Sequence, residues 1–227
     1  MISFEKRFIF VHTPRTGGTS MEEALMESVR DCDIHDGTRH WPLIAYNSSW
    51  AKLQTGARWN SSLKSGDTVP LYVESKNLID DYFKFTVVRN PWDRMLSYFL
   101  HLNGGFDERL FPKMIRLAGK SGEGFYPFVN RERHNLGEDD IFRVNFQSCH
   151  SMAHNKDGAN SIDFILRFEN LQEDYDALCD KIGIERTELP HHNKSDRGHY
   201  RDYYKKREID IVRKNLRQDI KKYGYEF

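Results

Sequence analysis

Cysteine is scarce in these 227 residues, with only Cys32, Cys149 and Cys179 and no CxxC pair. An odd, unclustered set excludes a disulfide framework and a zinc ribbon and suits a reducing compartment. An excess of one charge is missing as well. Lys and Arg total 34 and Asp and Glu 34, so nothing marks the chain as a general binder of nucleic acid or of an anionic membrane, and any anion site has to be local. No stretch approaches the roughly 18 uninterrupted apolar residues of a membrane span, and Met1 to Arg7 shows no apolar leader. The expectation is a soluble, cytoplasmic protein. Internal repeats and low-complexity linkers are absent too. Aromatic residues are plentiful: 15 Phe, 11 Tyr and 4 Trp make up 13% of the chain, which excludes disorder as its general state. The length fits a single domain over 1–227.

Phe8 to Val11 is short, aromatic and β-branched, and reads as a buried strand. Turn residues follow from Thr13 to Gly18. A helical pattern then places Met21, Leu25 and Val29 on one face, with Glu22, Glu23 and Glu27 outside or between. Residues 31–68 show little periodicity and read as loops with short helical pieces. Val69 to Val73 is a candidate second strand, kept near an edge by Pro70. Phe83 to Val88 is a clearer third. It leads into Arg89-Asn90-Pro91-Trp92-Asp93-Arg94, where Asn90 suits an N-cap, Pro91 a first helical position and Asp93 the positive helix end. The middle, 101–160, reads as irregular helices and loops. Ile162 to Phe168 is a fourth strand, and Asn170 with Glu173 forms a capping-box pattern for a helix through Ile182, stopped by Gly183. A final helix is expected from Arg207 to Tyr223, closed by Gly224. Strands alternating with helices argue for an α/β domain with a mostly parallel central sheet.

Two stretches carry chemistry. In Thr13-Pro14-Arg15-Thr16-Gly17-Gly18-Thr19-Ser20, the glycines let backbone amides approach an anion, and the helix start behind them adds unpaired N–H groups and partial positive charge. Thr16, Thr19 and Ser20 offer hydroxyls and Arg15 a fixed cation. The spacing and the missing lysine distinguish this loop from a Walker A motif. The second stretch puts Arg89 at a strand end and Ser97 in the next helix. Ligands in such sheets sit beyond strand C-termini, so both stretches are expected to face one crevice.

Phe10 to Ser20 resembles the 5′-phosphosulfate loop of sulfotransferases that use 3′-phosphoadenosine-5′-phosphosulfate (PAPS). Val87 to Tyr98 is similar to the same family's 3′-phosphate motif. Ile165-Leu166-Arg167-Phe168-Glu169-Asn170-Leu171 and Leu189-Pro190-His191-His192-Asn193-Lys194-Ser195 resemble the carbohydrate branch, which includes the heparan sulfate O-sulfotransferases. The resemblance runs from about residue 8 to the end, apart from 101–160. It implies a three-layer, P-loop-like fold with PAPS as donor and adenosine 3′,5′-bisphosphate as product. It also implies that Arg15, Thr16, Gly17, Gly18, Thr19 and Ser20 hold the 5′-phosphosulfate and that Arg89 and Ser97 hold the 3′-phosphate. Many members have lysine where this chain has Arg15. A guanidinium keeps the charge but does not give up a proton, so only the charge role carries over.

Sulfuryl transfer needs an in-line donor, charge stabilisation at the leaving phosphate and a base for the acceptor hydroxyl. No metal is expected, since Arg15 and the helix amides answer the leaving group's charge. Histidine titrates near working pH. His35 and His40 lie after the first helix, where carbohydrate sulfotransferases place a catalytic histidine, and Arg39-His40-Trp41-Pro42-Leu43 resembles that region better than Asp33-Ile34-His35; the carboxylates of Glu22 and Glu23 are alternatives. His12, beside the loop, reads equally as a packed supporting residue. From Arg186 to Phe227, 12 Lys and Arg face 7 Asp and Glu, and Lys194, Ser195 and Arg197 are candidates to close over the 3′-phosphate. Trp41, Trp50 and Trp59 read either as stacking faces for a sugar or as ordinary core residues, and the expected acceptor is a carbohydrate hydroxyl. A small-molecule kinase and a non-catalytic binder of anionic glycans are the rival readings.

Overall fold

Three parallel strands organise the computed structural model, which describes residues 1–3, 6–29, 33–34, 82–118, 148–153, 162–190 and 197–227. In chain order the strands are β1 (Ile2–Ser3), β2 (Phe8–Val11), β3 (Asp33–Ile34), β4 (Phe83–Val88) and β5 (Phe164–Arg167). Their order across the sheet is β3-β1-β2-β4-β5. β2, β4 and β5 pair in parallel, and the two-residue strands β1 and β3 add an antiparallel edge. The helices are α1 (Gly18–Ser28), α2 (Pro91–Asn103), α3 (Leu110–Ala118), α4 (Cys149–Met152), α5 (Leu171–Ile182), α6 (Lys206–Asn215) and α7 (Arg217–Tyr223). The protein is thus an α/β fold with a parallel sheet flanked by helices. The candidate strand Val69 to Val73 lies outside the described residues.

Packing divides the chain into two units. The first comprises Met1–Arg89 and Ser151–Lys194, and holds the sheet. The register brings Phe8 opposite Phe83 and Phe10 opposite Phe85, while Phe85 meets Phe164 and Val87 meets Leu166. The period of two therefore places these side chains on one face, where α1 supplies Met21 and Leu25 and α5 supplies Tyr175, Leu178 and Ile182. Phe10 stacks on Phe85 at 5.2 Å between ring centres.

The second unit comprises Asn90–His150 and Ser195–Phe227. Its core centres on Trp92, Leu96 and Phe99 of α2, Phe111 and Ile115 of α3, and Val212 of α6. The expected cap of α2 is present: Asn90 Oδ1 accepts the amides of Trp92 at 3.1 Å and Asp93 at 3.4 Å, and Pro91 opens the helix. Gly104, in the left-handed region at φ 70°, closes it. Arg94 is buried, with a nitrogen 4.0 Å from Asp219 Oδ2. The Asp219 carboxylate accepts the amides of Cys149 at 2.9 Å and His150 at 2.8 Å. Burial raises its pKa above the ordinary 3.8, against the lowering effect of Arg94 and the two amides.

Three local expectations are corrected. The capping box at Asn170 does not form. A 3-10 turn over Phe168–Asn170 leads into α5 instead, and Asp174 accepts the Arg167 amide at 2.6 Å. The C-terminal helix is two helices, α6 and α7, broken at Leu216 (φ −107°, ψ 28°), because that residue leaves helical geometry while its side chain stays buried. Glu22 does not face outward; it is 4% exposed.

Candidate functional site

At the end of β2 the chain leaves the sheet through a loop whose shape is fixed from within. Thr86 Oγ1 donates to the Val11 carbonyl at 2.8 Å, which uses its single proton. The 3.2 Å contact between Thr13 and Thr86 hydroxyls is therefore donated by Thr13. Thr16 Oγ1 donates to the Thr13 carbonyl at 2.8 Å. This hydroxyl was expected to face an anion; its proton is used inside the loop, which leaves the backbone N–H as the donor Thr16 can offer. Arg15 and Gly17 both sit at positive φ, 64° and 87°.

The helix behind the loop starts without a cap. Gly17, at the N-cap position, has no side chain to satisfy the first amides. The Met21 amide, bonded to the Gly17 carbonyl at 3.2 Å, opens the helical ladder. The N–H groups of Gly18, Thr19 and Ser20 stand ahead of that ladder at the positive end of an eleven-residue helix. That arrangement fits a phosphate or phosphosulfate group.

The two glycines also answer to protein neighbours. A Cβ on Gly18 would clash with the edge of the His12 ring, overlapping Cδ2 and Nε2 and lying 2.8 Å from Cε1. A Cβ on Gly17 would lie 2.8 Å from Leu171 Cδ2 and 3.1 Å from Phe168 Cδ2. Close anion approach is therefore not the sole reason for glycine here. His12 is 3% exposed, stacks on Phe10 at 5.7 Å and shares a 2.8 Å hydrogen bond between Nδ1 and Glu22 Oε1. This is the packed supporting role, and it removes Glu22 from the solvent-facing side of α1.

Arg89 follows β4 directly and is 7% exposed. Its Nη1 donates to the Arg15 carbonyl at 3.0 Å, and its guanidinium carbon lies 3.8 Å from the centre of the Phe168 ring. The structure thus brings the loop, Arg89 and Phe168 together in the first unit. In the sequence Phe168 is the end of a strand and part of the stretch that resembles the carbohydrate branch, with no sign of a contact to Arg89.

Ser97 and Arg197 belong to the second unit. Ser97 is buried on α2. Arg197 pairs with Asp93 in the first turn of that helix, a contact that orients its guanidinium and offsets its charge. His40, His35, Lys194 and Ser195 lie outside the described residues, as do Trp41, Trp50 and Trp59. Among the described residues no group of three or more His, Cys, Asp or Glu is placed to hold a metal ion. No helix among them is long and apolar enough to cross a membrane.

A parallel α/β sheet, a glycine loop leaving its first parallel strand, a bare helix start behind the loop and an arginine leaving the next strand make up a P-loop-like fold, whose loop geometry is of the kind that suits an anionic group. The class can be narrowed. The family model described as "Sulfotransferase family" matches residues 1–226, and the chain belongs to that family. It is accordingly a transferase of the sulfuryl group. Members generally draw that group from PAPS and pass it to a hydroxyl-bearing acceptor. No curated protein and no solved structure matches the chain.

Proposed function

We propose that this protein transfers the sulfuryl group of PAPS to a hydroxyl on a carbohydrate. One observation carries the reading: in a chain of the sulfotransferase family, Arg89 is hydrogen-bonded to the same loop that presents the bare amides of Gly18, Thr19 and Ser20. PAPS would supply an activated sulfuryl group on a phosphate leaving group. The loop residues Arg15, Thr16, Gly17, Gly18, Thr19 and Ser20 hold the 5′ end, mainly through backbone N–H groups and the Arg15 charge. Arg89 and Ser97 hold the 3′-phosphate. A guanidinium carries five N–H groups and a phosphate fork uses two of them, so the bond to Arg15 and the phosphate role are compatible. Lys194, Ser195 and Arg197 are the candidates to close over the 3′-phosphate.

His40 takes the proton from the acceptor hydroxyl as its oxygen attacks sulfur, and the bond from sulfur to the bridging phosphate oxygen breaks. The electron pair leaves on the phosphate, where Arg15 and the helix start stabilise it. The carbohydrate acceptor is supported by the likeness of Ile165 to Leu171 and of Leu189 to Ser195 to the carbohydrate branch. The few, unclustered cysteines suit a reducing compartment and support a cytoplasmic location.

Calorimetry with adenosine 3′,5′-bisphosphate tests the donor. The expected result is micromolar binding; no detectable heat at millimolar nucleotide would remove PAPS from the reading. Turnover with PAPS and an oligosaccharide acceptor tests the base. His40→Ala is expected to lower it by about two to four orders of magnitude while nucleotide affinity is kept. Undiminished turnover would take His40 out of the role.

A further inference from the structure

Arg15 is a non-glycine residue at φ 64°, a conformation costing on the order of 1 kcal/mol that has to be held by its surroundings. The described neighbours show what holds it. Arg89 Nη1 binds the Arg15 carbonyl at 3.0 Å. The peptide plane makes that contact more than an anchor. In a trans peptide the C=O and the following N–H point in opposite directions, so a carbonyl tied to Arg89 aims the Thr16 N–H away from Arg89. The guanidinium is itself seated on the Phe168 ring at 3.8 Å, an offset against the loss of hydration on burial. The same ring reaches the site of a Gly17 Cβ, 3.1 Å away. Phe168 thus touches the arginine and the second left-handed residue of the loop together.

We propose that Arg89 is a positioning residue for the loop that holds the donor's 5′ end, with Phe168 as the platform that aims it, in addition to its contact with the 3′-phosphate. The proposal rests on the PAPS reading. It differs in what it predicts, because a residue that only binds the 3′-phosphate is indifferent to a ligand lacking that group.

The experiment compares adenosine 3′,5′-bisphosphate with adenosine 5′-monophosphate by calorimetry, using wild type, Arg89→Lys, Phe168→Leu and the double variant. Lysine keeps the charge without the fork, and leucine keeps an apolar side chain beside Gly17 without the ring face. Each single variant is expected to lose at least about fivefold in affinity for the 5′-monophosphate. The double variant should lose little more than Arg89→Lys alone, since both act through one contact. Hydrogen exchange without nucleotide gives a second readout: in Arg89→Lys the amides of residues 15–18 should exchange at least about fivefold faster, with β2, β4 and β5 unchanged. If both variants keep 5′-monophosphate affinity within twofold and lose only bisphosphate affinity, Arg89 is a 3′-phosphate ligand alone and the proposal fails. If wild type binds neither nucleotide, the donor reading fails instead, and unchanged loop exchange would then overturn the positioning role separately.

Discussion

Gly18→Ala is expected to destabilise the protein, against the usual sign for a helix. Replacing glycine by alanine in a helix ordinarily gains up to about 1 kcal/mol, and the φ of Gly18 is not in the left-handed region. Space decides the outcome. The new methyl would overlap Cδ2 and Nε2 of His12, and that ring has little room to retreat. It is 3% exposed, stacked on Phe10 and bonded to Glu22 at 2.8 Å. Overpacking of this kind costs about 1–3 kcal/mol. Displacing the ring also strains or breaks a bond to a buried carboxylate, worth about 1.5–3 kcal/mol. The net expectation is a loss of about 2 kcal/mol or more in urea unfolding at neutral pH. A cycle with His12→Ala isolates the cause. Once the imidazole is gone, Gly18→Ala should become neutral or slightly stabilising, giving a coupling energy of about 2 kcal/mol. If Gly18→Ala leaves wild type as stable as before, or costs as much without the imidazole, the glycine is not there to admit His12. Anion approach would then be its explanation.

Gly17→Ala combines left-handed backbone at φ 87° with a Cβ 2.8 Å from Leu171, and should cost about 1–3 kcal/mol in urea unfolding. In a Leu171→Ala background the backbone share, about 1 kcal/mol, should remain, and complete relief there would refute the backbone contribution. Asp219 provides a pH test. Burial raises its carboxyl above 3.8 in the folded state, so the folded protein binds the proton more tightly than the unfolded chain does. The stability this contributes is complete below 3.8 and is lost as pH rises through the raised value. The stability of wild type relative to Asp219→Asn should therefore fall with rising pH over that window in urea titrations; a relative stability that grows with pH contradicts it.

The parallel core was legible because its pattern is local. Phe8 to Val11 and Phe83 to Val88 are strands over the expected residues, and the Asn90-Pro91 start and the Gly183 and Gly224 ends follow from single-residue conformational preferences. The α/β class and the sulfotransferase family likewise follow from two motifs in order. The failures were tertiary. Positions 18, 21, 22 and 25 form an apolar-spaced stripe on α1, so Glu22 was a buried position by spacing. Its charge argued for the surface, and only the His12 partner settles the conflict. Phe168 gave no sign of its role, since a ring that seats a distant arginine has no local signature. Asn170 and Glu173 matched a capping pattern, yet the 3-10 turn ahead of α5 changes the approach of the chain and leaves the cap unused.

The contact between Arg89 and the Arg15 carbonyl spans 74 residues of chain, and the ring beneath it belongs to the turn just past β5, later still. Neither the first strand with its loop and helix, nor any fragment ending before Phe168, contains all the parts that hold the Arg15 peptide in place. The hold on that peptide is therefore complete only where the ends of β2, β4 and β5 stand side by side, a set of contacts remote in sequence. A fragment ending at Ser20 would carry the loop motif without the side chains that fix its backbone.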